Sequence, residues 1–215
     1  MAHWLNVLPS LSSLTIEPGD VKWSDKRVVL WAQQFGRDWT IEQMSSFISI
    51  YLKPFLSGDV DLDPGRVVLS VRRGDFYSNP DFRRMYGFNV NGYVEKALEV
   101  QRGLGRVQRV HVVSDDPEWC RNNLSALGTV PTVSYEEEGS PERHFRQLCS
   151  AGRLVLSNST FAYWGAYVAV HRGADPRNVV APWFHSRADY DGRAYQLDPR
   201  WTVVESIPGG WSEKR

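Results

Sequence analysis

Residues 66–76 read RVVLSVRRGDF. The first six, Arg66–Val71, are a short, valine-rich run suited to a strand. The run breaks at once into two guanidiniums, a glycine and a carboxylate. What lies on either side decides the kind of sheet this strand belongs to. Upstream, Ser57–Gly65 (SGDVDLDPG) is a turn-rich loop. Before it, Thr40 and Gln43 have the spacing of a capping box, and Ile41, Met44, Phe47, Ile48 and Tyr51 fall on one helical face that should end before Pro54. Arg27–Ala32 (RVVLWA) is another strand candidate, and residues 1–26, with Pro9, Pro18 and Gly19, read as an irregular arm.

Downstream the pattern alternates. A helix over Asn91–Arg102 is stopped by Gly103–Gly105, and Val107–Val113 is a strand. A helix follows from Pro117, then a weak strand at Thr132–Tyr135 and a helix at Pro141–Ala151. Strand Arg153–Leu156, helix Thr160–His171, strand Asn178–Ala181 and a last strand at Trp201–Val204 complete the order. Short apolar strands alternating with helices predict one α/β domain over residues 27–215, an open and mostly parallel sheet with helices on both faces. Such sheets bind ligands at the carboxyl ends of their strands.

Composition narrows the partners. The chain has 215 residues, 42% hydrophobic and 13% aromatic, enough for a sizeable core. Lys plus Arg and Asp plus Glu are both 25, a balance that argues against general nucleic-acid or membrane-surface binding. The cations are 20 Arg to 5 Lys, and between Arg66 and Arg109 nine cations face four acids, a local excess of five. Arg is the better fork for phosphate and carboxylate. Two cysteines, Cys120 and Cys149, make neither a disulfide framework nor a zinc site. With no signal-peptide pattern at residues 1–14, a reducing, cytoplasmic setting is expected.

Three strand ends carry the candidate chemistry. After Val71 come Arg72, Arg73, Gly74 and Asp75. Adjacent side chains on extended backbone point opposite ways, so one Arg can clamp an anion while the other pairs with Asp75. A purely structural ion pair is the competing reading. After Val113 come Ser114, Asp115 and Asp116. Asp116 before Pro117 suits a helix cap, leaving Asp115 for a ribose or base, or for an ion pair. After Leu156 come Ser157, Asn158, Ser159, Thr160 and Phe161, small polar residues opening a helix. Such a start favours a phosphate through its free amides and dipole, although plain capping would use the same residues. Asp59, Asp61 and Asp63 alternate like a weak cation site without a calcium loop's other ligands. His144, between Arg143 and Arg146, reads as a surface residue. An Arg pair, an acidic pair and a helix start together suit a nucleoside diphosphate.

The motifs VVLSVRRGDFY (67–77), HVVSDDPEW (111–119), LVLSNSTFAYWGAYV (154–168), VVAPWF (179–184) and DPRWTVV (198–204) resemble glycosyltransferase family 11, the α-1,2-fucosyltransferases, in order and spacing. The resemblance covers roughly residues 27–205. It implies a Rossmann-like donor-binding lobe of a GT-B glycosyltransferase, inverting and metal-independent, that uses no cofactor and takes GDP-fucose as donor and a glycan hydroxyl as acceptor. It implies Arg72 and Asp75 as catalytic residues, with Arg72 on the β-phosphate. Ser70, Arg73, Asp115, Ser157, Asn158, Ser159, Thr160 and Phe161 would join Arg72 in holding the donor, and Asp81 is the nearest candidate base. Ser70 stands where relatives often carry His, which bears on guanine selectivity. The family's opening Leu-Gly-Asn-Gln segment and acceptor-side lobe have no counterpart in residues 1–25. A homo-oligomer or partner lobe is one expectation that follows, and a non-catalytic nucleotide-sugar-binding module is the alternative function.

Overall fold

A computed structural model describes residues 2–15, 18–22, 24, 34–137, 139–187 and 191–207. The expected strand at Arg27–Ala32 lies outside the described residues. Six strands, β1 (Arg66–Val71), β2 (Arg109–Ser114), β3 (Thr132–Tyr135), β4 (Leu154–Val155), β5 (Val179–Pro182) and β6 (Thr202–Val204), form one sheet in the order β3-β2-β1-β4-β5-β6. Every pairing in it is parallel. The chain therefore builds outward from β1 in one direction, then returns to the other side of β1 with β4. That reversal opens a crevice between the carboxyl ends of β1 and β4. The ladder of β4 is short, but backbone bonds from Val68 to Arg153 and from Leu156 to Val180 prolong it to the span the sequence predicts.

Strand alternation divides the core into two layers. Val67, Leu69 and Val71 of β1 face one side with Val110, Val112, Val155 and Val180, and there they meet α5 (Val90–Leu104) and α6 (Pro117–Asn123). Val68, Val113, Leu154 and Leu156 face the other side, covered by α2 (Ile41–Tyr51), α7 (Pro141–Cys149) and α8 (Thr160–His171). Each fully buried Val or Leu contributes about 1.5–3 kcal/mol by leaving water, so a register slip of one residue would cost both layers at once. Gly165 of α8 lets α7 approach closely, because a Cβ there would press into Leu148.

The capping box forms as expected: Thr40 Oγ1 accepts from Gln43 N, and Gln43 Oε1 accepts from Thr40 N. Three features depart from the sequence reading. Residues 2–14 are not irregular: α1 (Ala2–Val7) and a 3-10 turn (Pro9–Leu14) pack Trp4, Val7, Leu8 and Leu11 against the α7–α8 layer. Two short helices, α3 (Gly74–Ser78) and α4 (Pro80–Tyr86), fill the segment after β1. Asp61 and Asp63 spend their carboxylates on Arg66 and Arg109 rather than converging on a cation. Among the described residues no helix is long and apolar enough to cross a membrane.

Candidate functional site

A cavity of about 1100 Å³ lies over the carboxyl ends of the strands, at the β1–β4 reversal. Ser70, Arg72, Asp115, Ser157, Ser159, Thr160 and Phe161 all line it, so the three strand ends singled out in the sequence do meet. Ser70 and Ser157 span the crevice floor, their hydroxyls 3.2 Å apart.

Arg72 is held from two sides. Its Nη2 donates to Asp75 Oδ1 at 2.6 Å and its Nη1 to Asp115 Oδ2 at 2.8 Å. A guanidinium has five N–H donors in a rigid plane, so this grip fixes its orientation and leaves others for an incoming anion. The side chain remains 37% exposed, partly desolvated yet reachable. Asp115 also accepts from Arg73 N at 2.7 Å, which ties the β1 and β2 ends together. Gly74 is required here, because a Cβ at that position would overlap the Asp115 carboxylate.

Strand alternation does send Arg72 and Arg73 to opposite sides, but the division of labour differs from expectation. The same Arg that faces the cavity also pairs with Asp75. Arg73 is wedged between the rings of Tyr77 and Trp119, its Cζ 3.6 and 3.9 Å from their centroids, and it does not line the cavity. Cation–π contact replaces a carboxylate partner for it. Asp75 likewise sits behind Arg72 rather than on the cavity wall.

On the β4 side, α8 opens at Ser159 with no side-chain cap bond. The first-turn amides have no intrahelical acceptor, so Thr160, Phe161 and Ala162 present N–H groups and the positive end of the helix dipole. Asn158 is fully buried and turned away from the cavity. Its Nδ2 donates to the carbonyls of Tyr86 and His185, each at 2.9 Å, and so sutures three loops around the helix start. Asp116 caps α6 through Trp119 N at 3.0 Å, as read from the sequence.

The cavity also uses residues that the sequence reading missed. Tyr86, at the end of α4, stacks on Phe76 at 4.3 Å and meets His185 edge-on. His185 shares a 3.2 Å hydrogen bond with Tyr163, whose phenol burial holds well above its usual range and therefore protonated. His144 is half-buried rather than a plain surface residue: it lines the cavity, with a buried Nε2 that has no partner among the described residues. Asn79 capping α4 ahead of Pro80 was a legible signal for Tyr86, whereas His144 and His185 reach the cavity only through tertiary packing. Asp81 lies off the cavity and pairs with Arg84.

The comparisons bear on what this geometry belongs to. The model of glycosyl transferase family 11 matches residues 56–198. The chain is 29% identical over 144 residues to galactoside 2-alpha-L-fucosyltransferase SEC1 of Bos taurus, covering 66% of this chain and 39% of that protein. It is 30% identical over 153 residues to galactoside alpha-(1,2)-fucosyltransferase 1 of Mico humeralifer (65% and 41%). It is 27% identical over 118 residues to the O-antigen biosynthesis glycosyltransferase WbnK of Escherichia coli (54% and 38%). The chain thus spans about two fifths of the length of these relatives. The matched segment contains every one of the three strand ends that form the cavity, and on that match the chain belongs to glycosyl transferase family 11.

Proposed function

We propose that the chain binds a GDP-sugar in the β1–β4 crevice and transfers fucose from GDP-fucose to a glycan hydroxyl, in an α-1,2 linkage by its likeness to the galactoside fucosyltransferases. The observation that carries the reading is the convergence of Arg72 and the uncapped start of α8 on one cavity. A diphosphate between them meets a fixed guanidinium on one side and a row of amides on the other. On this reading the nucleoside lies on the β2 side of the cavity, beside Asp115, whose carboxylate already holds Arg72 and the Arg73 amide.

The acceptor hydroxyl attacks the anomeric carbon from the face opposite the diphosphate, and its proton passes to solvent water. The bond from that carbon to the β-phosphate oxygen breaks, and GDP departs with the electron pair, so the reaction inverts. Negative charge grows on the β-phosphate as the bond stretches, and donors held rigidly at that oxygen stabilise the transition state more than the ground state. Asp75 acts through Arg72 as a positioning residue, and Arg73 through the backbone of the turn. The reading assigns neutralisation of the leaving group to Arg72 and the α8 amides, without a metal ion or cofactor. It also keeps the chain in a reducing compartment, where the buried Cys120 and Cys149 stay free thiols.

Incubation with GDP-fucose and lactose, followed by product mass and linkage analysis, tests the reading. A 2-fucosylated product, reduced about tenfold or more by Arg72→Ala, supports it. GDP binding without turnover would leave the binding-module alternative, and no binding of GDP would overturn both.

A further inference from the structure

Trp4 stands apart from the rest of the large cavity's wall. It comes from α1, outside the matched residues 56–198, yet it lines that cavity. The arm that carries it is anchored. Leu8 is buried and its amide donates to the Trp4 carbonyl at 2.7 Å, and Ser10 Oγ donates to the Tyr51 carbonyl of α2 at 3.2 Å. Three rings hold the indole. Phe145 of α7 meets it edge-on at 5.9 Å, and Phe55 and Phe161 each lie at 6.4 Å. Tilted and edge-on contacts of this kind fix a ring's orientation. Trp4 is nevertheless only half-buried, so part of a rigid aromatic surface is left open to the cavity.

The charges along the wall limit what can lie against it. Arg72 is the one lysine or arginine among the described residues lining the cavity, and it follows β1. On the β3 side the lining residues are Glu137, Gly139, Pro141 and His144. The Glu137 carboxylate is already neutralised by Arg121, and His144 Nε2 has no partner among the described residues. A phosphate placed here would find a carboxylate and no uncommitted guanidinium, a mismatch that costs affinity. With the diphosphate at Arg72 and the start of α8, this wall takes a neutral group. It is apolar and aromatic at Trp4 and Phe161, and it carries acceptors at its rim. A purine meets both demands, its face on the indole and its N–H edge toward the rim.

We infer that Trp4 is the stacking platform for the donor's purine base, so that α1 completes a site otherwise built from strand ends and the start of α8. The inference rests on the proposed function, because it takes the diphosphate to lie between Arg72 and α8. Calorimetry on the full chain with GDP and with inorganic pyrophosphate separates the base from the phosphates. Trp4→Leu keeps an apolar side chain against Phe145 and Phe161 but loses the stacking face, and Trp4→Phe keeps a smaller one. GDP affinity should fall about tenfold in Trp4→Leu and about threefold or less in Trp4→Phe, the scale of one base–aromatic stack. Pyrophosphate affinity should stay unchanged in both, which also shows that the variants fold. GDP affinity of Trp4→Leu equal to wild type would overturn the inference and leave the proposed function standing. Equal losses for GDP and pyrophosphate would also overturn it, because Trp4 would then only pack α1 onto α7 and α8. A wild type that binds no GDP would overturn the proposed function and the inference together.

Discussion

The two ends of the sheet each hold an arginine, and they hold it differently. At the amino end, Arg153, just before β4, is 4% exposed and meets no carboxylate among the described residues. Its guanidinium donates to the carbonyls of Arg106, Gln101, Pro64 and Gly105 and to Gln101 Oε1, while Gln101 itself donates to Leu154 and Asn178. Burial pulls the Arg153 pKa down from its usual value, but the carbonyls solvate its charge. At the carboxyl end, Arg72 has two carboxylate partners and stays over a third exposed. The first arginine is spent inside the protein. The second is oriented by the protein and keeps donors for something else. A saturated buried cation fastens loops, whereas an oriented, half-exposed one is the form an anion site takes.

That contrast orders the expected effects. Arg153→Met should be the largest, about 3–5 kcal/mol lost in chemical denaturation, because it strands several buried carbonyls and the Gln101 amide at once. If the loss were under about 1 kcal/mol, the amino end would not be a staple. Asn158→Ala should cost about 1–3 kcal/mol in the same measurement, since it removes the two buried bonds from Asn158 Nδ2 to the Tyr86 and His185 carbonyls near the cavity rim. Arg72→Ala should barely move stability, by about 1 kcal/mol or less, as expected of partly exposed ion pairs. Its donor affinity should nevertheless fall about tenfold. A variant that lost stability and binding in parallel would erase the distinction between the two ends.

The smallest effect is a pH dependence. Burial, and next the Arg66 guanidinium, hold His111 below the usual imidazole range, against the opposing influence of Glu136. Unfolded, the ring titrates near about pH 6.5. Below that value the unfolded chain takes up a proton that the folded chain resists, so stability present above it is lost as pH falls toward the folded pKa. The drop in stability between neutral and mildly acid pH should be shallower in His111→Gln. A steeper drop in that variant would reverse the assigned sign.

Much of the fold was legible because its signals are local. Val-rich runs with clean ends gave β1, β2 and β5, and Thr40 with Gln43 gave the start of α2. The helices α3 and α4 were missed because five and seven residues are too few to establish a period, although Asn79-Pro80 announced the second. The arm was misread even though Trp4, Val7, Leu8 and Leu11 have helical spacing, because the prolines that follow outweighed it. At the site, residues on strand ends were readable from chain order, since parallel strands deliver their ends to one side. What could not be read was direction and partnership. Arg73 and Asn158 sit within the right motifs but face inward, and His144 and His185 reach the cavity only through tertiary packing, while Tyr86 comes from the end of α4, whose start Asn79-Pro80 marked.

The most direct test of the account is an amide NMR titration of the full chain with GDP and with guanosine. The account predicts that the amides of Thr160, Phe161 and Ala162 shift on adding GDP, that guanosine leaves them still, and that Arg72→Ala weakens the GDP response. Shifts confined to other loops, or equal responses to GDP and guanosine, would contradict a diphosphate held between Arg72 and the start of α8.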